Sequence, residues 1–435
     1  MIGHSRTVVF ALAVAAMFVM AGGPHDGASA AEPDDITVAE AVRFRSDFGL
    51  RSDKSWVVET LANDTLDSET WGVPLTPAEL ATMADRARIG ESLEPMLLYG
   101  EAHPKTFGGL YIDNQDDGTI VVLVTDDQGA SEWRERAPEG ATVRLRRVDR
   151  TLAKLDSIHQ SIVEEWSALD RQGVEIASIV TVVPDNTVEV RVIDYARARA
   201  SDLTDRFGPG VRVVPGKPIT SSACPDSNCA NPLRAGIKIS GPHGNCTSGF
   251  HVRGYGGNIK MLTAGHCNYG SPIGTGWSHS GFGSIGNFVE SSYSQDSRAD
   301  SGLIDIPNGQ GSKLFFISIA QGNRSVTAVQ NKTQEATGQI VCRSGFKSGY
   351  SCGTLQSVNV STRDTDTNIR LVHQRMASVS VQPGDSGAPI FYGTTAKGNA
   401  AARDNDTGWV IYTHIKEAKD ALGWDHLCGM NGDNC

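Results

Sequence analysis

The segment Pro383-Gly384-Asp385-Ser386-Gly387-Ala388-Pro389 sets one serine between glycines, in a stretch whose backbone must take an unusual shape. Glycine allows the chain to bring the backbone N–H groups of Gly384 and Ser386 round to one point, where they can hold an oxyanion. A hydroxyl is a poor nucleophile at neutral pH, so it requires an imidazole base and usually an orienting carboxylate. The segment therefore predicts a nucleophile at Ser386 and requires a histidine and an acid elsewhere in the chain.

Both groups are available upstream. His266 ends the run Met261-Leu262-Thr263-Ala264-Gly265-His266-Cys267, which is apolar up to the turn. Asp300 opens the stretch Asp300-Ser301-Gly302-Leu303-Ile304, and Asp296 and Asp305 compete with it for the orienting role. A histidine or a glycine-flanked serine alone is more often structural, but their joint occurrence favours a catalytic interpretation.

These stretches resemble the fingerprints of the chymotrypsin-like serine proteases, Thr-Ala-Gly-His-Cys and Gly-Asp-Ser-Gly, and the order His, Asp, Ser also agrees. Residues 341–345 (VCRSG) and 350–353 (YSCG) narrow the resemblance to the bacterial streptogrisin and alpha-lytic protease branch. The match covers roughly residues 235–395. One departure is Ala388, where the family usually carries a second glycine, and we expect this substitution to be tolerated.

The resemblance implies two packed six-stranded β-barrels with the site between them, and hydrolysis of peptide bonds through an acyl-enzyme. It implies the triad His266, Asp300 and Ser386, because Asp-Ser-Gly-Leu-Ile fits the family pattern Asp-x-Gly-aliphatic. The residues alone predict less: short β-type runs in Gly- and Ser-rich sequence after residue 235 indicate antiparallel all-β structure. Ile415, Ala418 and Leu422 add a short amphipathic helix near the end.

All eight cysteines lie between Cys224 and Cys435. The resemblance implies the disulfides Cys246–Cys267 and Cys342–Cys352. For Cys224, Cys229, Cys428 and Cys435 we expect pairing between neighbours. A site of four thiolates for a metal ion is the alternative, and export of the chain would favour disulfides.

The first thirty residues have basic His4 and Arg6, an apolar run over residues 8–21 and the small-residue pattern Ala28-Ser29-Ala30. This pattern predicts a signal peptide over residues 1–30 and a secreted, extracellular product. A membrane anchor is the alternative, but the run is shorter than the roughly 20 residues that span a bilayer. No later stretch is long and apolar enough to span, so we expect no membrane association after signal removal.

Charge divides the remaining chain in two. Residues 31–215 carry 34 acidic and 20 basic side chains, a net charge of −14. Residues 216–435 carry 15 acidic and 18 basic side chains, a net charge of +3. An acidic, cysteine-free segment before a slightly basic, disulfide-bearing one indicates two units with different demands. We expect an α+β pro region over residues 31–215 and the protease domain over residues 216–435, made as one pre-pro-protein, a zymogen.

Local patterns support an α+β pro region. Thr76-Pro77-Ala78-Glu79 is a capping box that starts one helix, and apolar residues from Leu152 to Leu169 recur at helical spacing. Two similar strand pairs, residues 109–113 with 120–124 and 179–183 with 188–192, indicate a duplicated unit. It is similar to the two-lobed pro region of alpha-lytic protease relatives. The alternative for this segment is an unrelated α+β domain that binds another molecule. Gly- and Pro-rich sequence predicts a linker between about residues 208 and 235.

The basic run Arg144, Arg146, Arg147, Arg150 could indicate nucleic acid, but acids outnumber bases around it, so we interpret it as solvated charge beside a helix. We expect no nucleic-acid partner, no cofactor and no metal. The expected partners are protein or peptide substrates and the intramolecular pro region, and we expect a monomer.

Specificity is less well defined by the sequence. Trypsin-like members place an aspartate six residues before the nucleophile to attract Arg or Lys, and that position is Ser380 here, so cleavage after basic residues is disfavoured. Residues 409–415 occupy the region where the family usually has Ser-Trp-Gly, and they depart from that pattern. His414 either recognises an acidic side chain of the substrate or has a structural role. Asp385 pairs either with a freed N-terminus or with a nearby basic group.

Two other functions remain open. A non-catalytic relative could keep the barrels and use its cleft or its N-terminal domain for binding. A lipase or esterase would share the nucleophile chemistry, but no Gly-x-Ser-x-Gly elbow between a strand and a helix is evident.

Overall fold

The computed structural model describes residues 35–63, 66, 71, 73–126, 129–195, 200–217, 233–307, 310–318 and 322–435. The expected signal peptide, Cys224 and Cys229 lie outside the described residues. An α+β N-terminal region precedes a C-terminal part built mainly of β-strands. This arrangement confirms the fold class expected from the sequence.

Four helices begin the N-terminal region: α1 (Asp35–Asp47), α2 (Lys54–Asn63), α3 (Pro77–Glu91) and α4 (Glu94–Ala102). The predicted capping box starts α3, because Thr76 Oγ1 accepts from the N–H of Glu79 while the Glu79 carboxylate accepts from the N–H of Thr76. Each interaction satisfies a backbone donor that a helix start leaves unpaired. Met83 and Ala87, at helical spacing, are buried on the inner face.

Two units of similar design follow. The first contains β1 (Phe107–Asp113), β2 (Thr119–Val124), α5 (Ala130–Glu135) and β3 (Val143–Arg147). After α6 (Leu152–Arg171), the second contains β4 (Ile176–Val182), β5 (Thr187–Val192), α7 (Ala200–Phe207) and β6 (Val211–Pro215). In each unit an antiparallel pair is followed by a helix and by a third strand parallel to the second. The duplication predicted from the strand pairs is therefore present, and α6 agrees with the predicted helix.

The third strands correct two expectations. Arg144, Arg146 and Arg147 lie within β3 rather than beside a helix, and Arg144 forms ion pairs with Asp113 and Asp116. Because β6 runs to Pro215, the expected linker cannot begin at residue 208.

The first barrel of the C-terminal part is a curved sheet in the order β23-β9-β10-β13-β12-β11-β7-β8. Its core includes Ile239, Met261, Trp277, Phe288 and Ile304. The strands are β7 (Lys238–Gly241), β8 (Gly244–Thr247), β9 (His251–Arg253), β10 (Ile259–Thr263), β11 (Gly276–His279), β12 (Gly283–Ser291), β13 (Gly302–Asp305) and β23 (His426–Leu427).

The second barrel runs β17-β20-β21-β22-β19-β18 and closes through pairing of β17 with β18. Its six strands are β17 (Ile340–Gly345), β18 (Gly349–Arg363), β19 (Arg370–Ser380), β20 (Pro389–Tyr392), β21 (Thr395–Arg403) and β22 (Trp409–His414). The hairpin of β14 (Leu314–Ser318) and β15 (Gly322–Ser325) and the short β16 (Ala328–Val329) connect the barrels. Helix α8 (Ile415–Leu422) confirms the predicted short helix. Ala388 is fully buried in this barrel's core, so its methyl group is accommodated there.

The N-terminal region and the second barrel share one sheet. Strand β4 pairs antiparallel with β18, with Val180 opposite Val360, so the sheet continues from the barrel through β4, β5 and β6. Val180, Val360, Met376 and Ile411 form one buried cluster across this junction. On the other side of the region, Lys397 Nζ lies 2.7 Å from the carboxylate of Glu91 in α3.

We predict that Met376→Ala lowers the free energy of unfolding by about 2–5 kcal/mol, because it opens a cavity in the cluster that joins the two parts. Urea denaturation of the full chain, carrying Ser386→Ala to prevent self-digestion, measures the change. Leu98→Ala is the control: Leu98 is 46% exposed, so its loss should change stability by less than about 0.5 kcal/mol. Equal effects of the two variants would contradict the packing described here.

Candidate active site

The three side chains of the predicted triad come from both barrels. His266 begins a short 3-10 helix directly after β10, and Asp300 lies two residues before β13. Ser386 lies in the turn between β19 and β20 of the second barrel. The folding of both barrels therefore brings the three residues together at their junction.

A chain of hydrogen bonds joins them. His266 Nε2 lies 2.8 Å from Ser386 Oγ, and His266 Nδ1 lies 2.5 Å from Asp300 Oδ2. The other carboxylate oxygen of Asp300 accepts from the backbone N–H of His266 at 2.9 Å. The carboxylate thus holds the histidine at two points, so that the ring nitrogen facing Ser386 can act as an acceptor.

Burial and charge act in opposite directions on His266. Burial disfavours the charged imidazolium and alone would lower its pKa. The negative charge and hydrogen bond of Asp300, together with the charge of Asp364, outweigh burial and raise the pKa of His266 above its ordinary value. Asp300 is 1% exposed, so little water screens this interaction.

The two competing carboxylates have other partners. Asp296 forms a bidentate ion pair with Arg370, and Asp305 accepts from the side-chain amide of Asn258. Neither contacts His266 in the described hydrogen bonds.

Strands β21 and β22 also hold Asp300, through contacts that the sequence analysis missed. The N–H of Asp300 donates to Thr413 Oγ1, and its carbonyl accepts from the side-chain amide of Asn399, both at 2.9 Å. Thr413 and Asn399 come from the second barrel, so that barrel fixes the backbone of an acid that belongs to the first. In the sequence, the one signal for this role is that Thr413 and Asn399 are polar residues within strands.

The backbone around Ser386 has two N–H groups that donate to no other backbone group in the described residues. Gly384 has a φ of +107°, in the region that favours glycine, and its carbonyl accepts from Thr247 Oγ1. Among the backbone hydrogen bonds of the described residues, none uses the N–H of Gly384 or of Ser386 as donor. These are the two N–H groups that the sequence predicts for an oxyanion site.

Asp385 turns away from the cleft into the second barrel. Its carboxylate accepts from the N–H groups of Lys347, Ser348 and Gln382. Arg343 Nη1 lies 3.5 Å from Asp385 Oδ2, and both side chains are almost completely buried. Of the two alternatives, the structure therefore supports a nearby basic group.

The pocket beside Ser386 corrects the expectation for residues 409–415. The residues that line it are Val381, Gln382, Asp385, Ser386 and the β21 residues Ala400, Ala401, Ala402 and Arg403. Strand β22, which contains residues 409–414, lies behind β21 and pairs with it. Strand β21 thus contributes three alanines and one arginine to the lining of this pocket.

His414 is structural in this arrangement. It is fully buried, and its Nδ1 accepts from the N–H of Lys416 at the start of α8. Burial first, and neighbouring cations after it, lower the pKa of His414 to about 4 despite the opposing charge of Glu335. His414 does not line the pocket beside Ser386.

Three disulfides are present in the described residues, Cys246–Cys267, Cys342–Cys352 and Cys428–Cys435. The first two are the pairs that the resemblance implied, and Cys246–Cys267 ties β8 to the residue after His266. The third confirms the expected pairing of neighbours. The described residues contain no cluster of three or more potential metal ligands, and none of their helices has the length and apolar character of a membrane span.

Comparison with known proteins identifies the family of this chain. Residues 223–422 match the family model Trypsin. Serine protease 2 of Streptomyces fradiae is 31% identical over 157 residues, which cover 36% of this chain and 84% of that protein. The chain belongs to the trypsin family. It is therefore a serine-type endopeptidase.

Other relatives are also bacterial serine proteases. Streptogrisin-D of Streptomyces griseus is 27% identical over 317 residues, covering 70% of this chain and 72% of that protein. Among solved structures, Thermobifida fusca Protease A is 27% identical with a TM-score of 0.38, covering 45% of this chain and 97% of that one. The similarity to Streptogrisin-D is consistent with the streptogrisin branch that the sequence motifs indicated.

For the buried Arg343–Asp385 pair, we predict that Arg343→Met lowers the free energy of unfolding by about 3–5 kcal/mol, because it leaves a buried carboxylate without its cation. The double variant Arg343→Met/Asp385→Asn should recover part of this loss. Urea denaturation in the Ser386→Ala background measures both. Arg88→Met is the control, since its ion pair with Asp85 is about half exposed and should contribute less than about 1 kcal/mol.

Proposed function

We propose that Ser386 is the nucleophile of this protease, His266 its general base and Asp300 the acid that orients the imidazole. The observation that carries the proposal is the continuous chain of hydrogen bonds from Asp300 through His266 to Ser386 Oγ. His266 removes the hydroxyl proton as Ser386 Oγ attacks the peptide carbonyl, and then gives that proton to the departing amine. Water reverses these steps and releases the acyl group.

The backbone N–H groups of Gly384 and Ser386 stabilise the negative charge that develops on the carbonyl oxygen. Losing one such donor typically costs on the order of 100-fold in turnover. The buried Asp385 holds this loop from behind, because three backbone donors and Arg343 fix its carboxylate. The loop is thus preorganised before substrate arrives.

The residues beside Ser386 bear on the charge of the side chain that the protease accepts. Strand β21 contributes Ala400, Ala401, Ala402 and the cation Arg403 to the lining, and the carboxylate of Asp385 is engaged by Arg343. No unpaired acid is therefore present to attract a basic side chain among the described lining residues. We infer that cleavage after Arg or Lys is disfavoured.

A non-catalytic binding protein is the alternative. Covalent labelling of the purified chain with a fluorophosphonate distinguishes the two, because only an activated serine reacts. We expect one label at Ser386 and none in Ser386→Ala. A folded wild-type chain that remains unlabelled would remove the catalytic assignment.

We predict that Asp300→Asn lowers kcat by roughly 10,000-fold, because the amide stabilises the wrong imidazole tautomer. Ser386→Ala should abolish turnover with little loss of stability, since it removes a single oxygen. Asp305→Asn is the matched control, because Asp305 lies five residues further on and contacts Asn258 instead. Hydrolysis of a chromogenic peptide measures all three, and a large loss in Asp305→Asn with near-normal Asp300→Asn would identify the wrong acid.

We also propose that the protease is secreted as a pre-pro-protein, with a signal peptide over residues 1–30 and a pro region over residues 31–215. Three observations support this division: the charge contrast of −14 against +3, the duplicated unit and the pairing of β4 with β18. The match to Streptogrisin-D is longer than the C-terminal part alone, so it extends into the N-terminal region. Opposite net charge speeds the encounter of the two parts.

The pro region is proposed to assist folding. Barrels rich in non-local strand pairing fold slowly, because loop-closure entropy is lost before contacts form. Strand β4 offers the β18–β19 hairpin a partner along its edge, and a preformed template of this kind lowers that barrier.

We predict that residues 216–435 expressed alone yield little active enzyme and that adding residues 31–215 as a separate chain restores activity. Active-site titration with the fluorophosphonate after refolding measures the yield. Bovine serum albumin at equal concentration controls for a general protective effect. Full activity from the isolated C-terminal part would show that the N-terminal region serves inhibition or binding instead.

A further inference from the structure

Tyr293 is a buried aromatic residue beside His266 that the proposed mechanism does not use. It lies in the loop between β12 and β13, seven residues before Asp300, and is 8% exposed. The rings of Tyr293 and His266 meet edge to face, with centroids 5.8 Å apart. Tyr293 therefore covers one side of the imidazole.

The backbone before His266 is also packed closely against Tyr293. A Cβ atom added at Gly265 would lie 2.8 Å from the Cβ of Tyr293 and 2.8 Å from the carbonyl oxygen of Ser301. Such separations are too short for carbon atoms, so this close approach requires glycine. Tyr293 thus packs closely against the peptide that precedes His266.

The hydroxyl of Tyr293 is held from the other barrel. It donates to Asp364 Oδ2 at 2.6 Å and lies 2.5 Å from Thr367 Oγ1. Asp364 and Thr367 belong to the turn that joins β18 to β19. Asp364 is itself fixed, because its Oδ1 accepts from the N–H of Asp366 and its N–H donates to the carbonyl of Ile369.

The charges of Asp300 and Asp364 also link Tyr293 to His266. Burial, followed by the charges of Asp300 and Asp364, raises the pKa of Tyr293 well above its ordinary value, so its hydroxyl remains a donor over the working pH range. Asp300 and Asp364 are the charged groups that raise the pKa of His266 against the opposing effect of burial. Asp364 therefore stabilises the imidazolium formed during the proposed reaction.

We propose that Tyr293 is a positioning residue for His266 and that Asp364, at the tip of the β18–β19 hairpin, holds Tyr293 in place and adds its negative charge to that of Asp300. The hairpin of the second barrel then fixes the orientation of the imidazole that lies in the first. This inference rests on the proposed role of His266. Its closing experiment includes a measurement that does not depend on turnover.

The test compares Tyr293→Phe and Asp364→Asn with the control Tyr269→Phe in the full chain. Tyr269 also packs edge-on against Tyr293, at 5.5 Å between centroids, but it is 47% exposed and is not among the described partners of the Tyr293 hydroxyl. We expect Tyr293→Phe and Asp364→Asn each to lower kcat/KM by about tenfold, the size of effect for a hydrogen bond to a charged group, with KM little changed. The double variant should lose no more than the worse single variant.

The pH profile gives an independent readout. His266 acts as a base only when neutral, so its raised pKa places the acid limb of kcat/KM above the ordinary histidine value of 6.5. Removing the negative charge of Asp364 destabilises the imidazolium, so Asp364→Asn should move this limb to lower pH. A merely structural loss would reduce the rate without moving the limb.

Titration of His266 by NMR in the Ser386→Ala background separates failure of this inference from failure of the proposed function. We expect the same displacement of the His266 pKa to lower pH in Asp364→Asn, with or without turnover. If Tyr293→Phe does not fold, Thr367→Val replaces it, because it removes one of the two contacts of the hydroxyl. Wild-type rates in Tyr293→Phe and Asp364→Asn, an unmoved titration in Asp364→Asn, or additive losses in the double variant would each overturn the proposal.

Discussion

The burial of one carboxylate between two barrels is the constraint on which the rest of the site depends. Asp300 is 1% exposed, and a charge removed from water to this extent is costly unless its oxygens are hydrogen-bonded. The backbone N–H and the imidazole of His266 satisfy them from the first barrel. Thr413 and Asn399 hold the main chain of Asp300 from the second barrel. Stabilising this buried charge therefore requires both barrels to be folded and packed, which is also the arrangement that places Ser386 beside His266.

Local chemistry explains how much of the site was predictable. At Gly265-His266 and at Gly384-Asp385-Ser386 the same few residues determine both the turn and the reactive group, so a short segment of sequence carries both signals. The capping box at Thr76 and the spacing of apolar residues in α6 are equally local, and the structure contains the helices they predict. The all-β class followed from short runs and turns, but the closure of two barrels came from the family resemblance.

Contacts between distant segments account for what sequence reasoning missed. The sequence could not decide between partners for Asp385, because Arg343 meets it only after β17 and β20 pair. Residues 409–415 were expected to occupy the region where the family usually has Ser-Trp-Gly, although they depart from that pattern. Strands β21 and β22 are neighbours in one sheet, and sequence does not tell which of the two lies beside Ser386. The third strands β3 and β6 were missed because the arginines of β3 were interpreted as solvated charge, and the Gly- and Pro-rich sequence around β6 was interpreted as a linker.

The junction of β4 with β18 has a consequence for the enzyme if the two parts separate as proposed. In the intact chain, β4 pairs with residues 360–362 of β18. Without it, this segment of β18 becomes an edge, and exposed edges invite pairing with other molecules and aggregation. Two features of β18 oppose such pairing. Its pairing with β19 is irregular at three places, and the strand ends at the charged residue Arg363. Bulges and terminal charge both discourage edge-to-edge association, so the strand that receives the N-terminal region is also built to tolerate its loss.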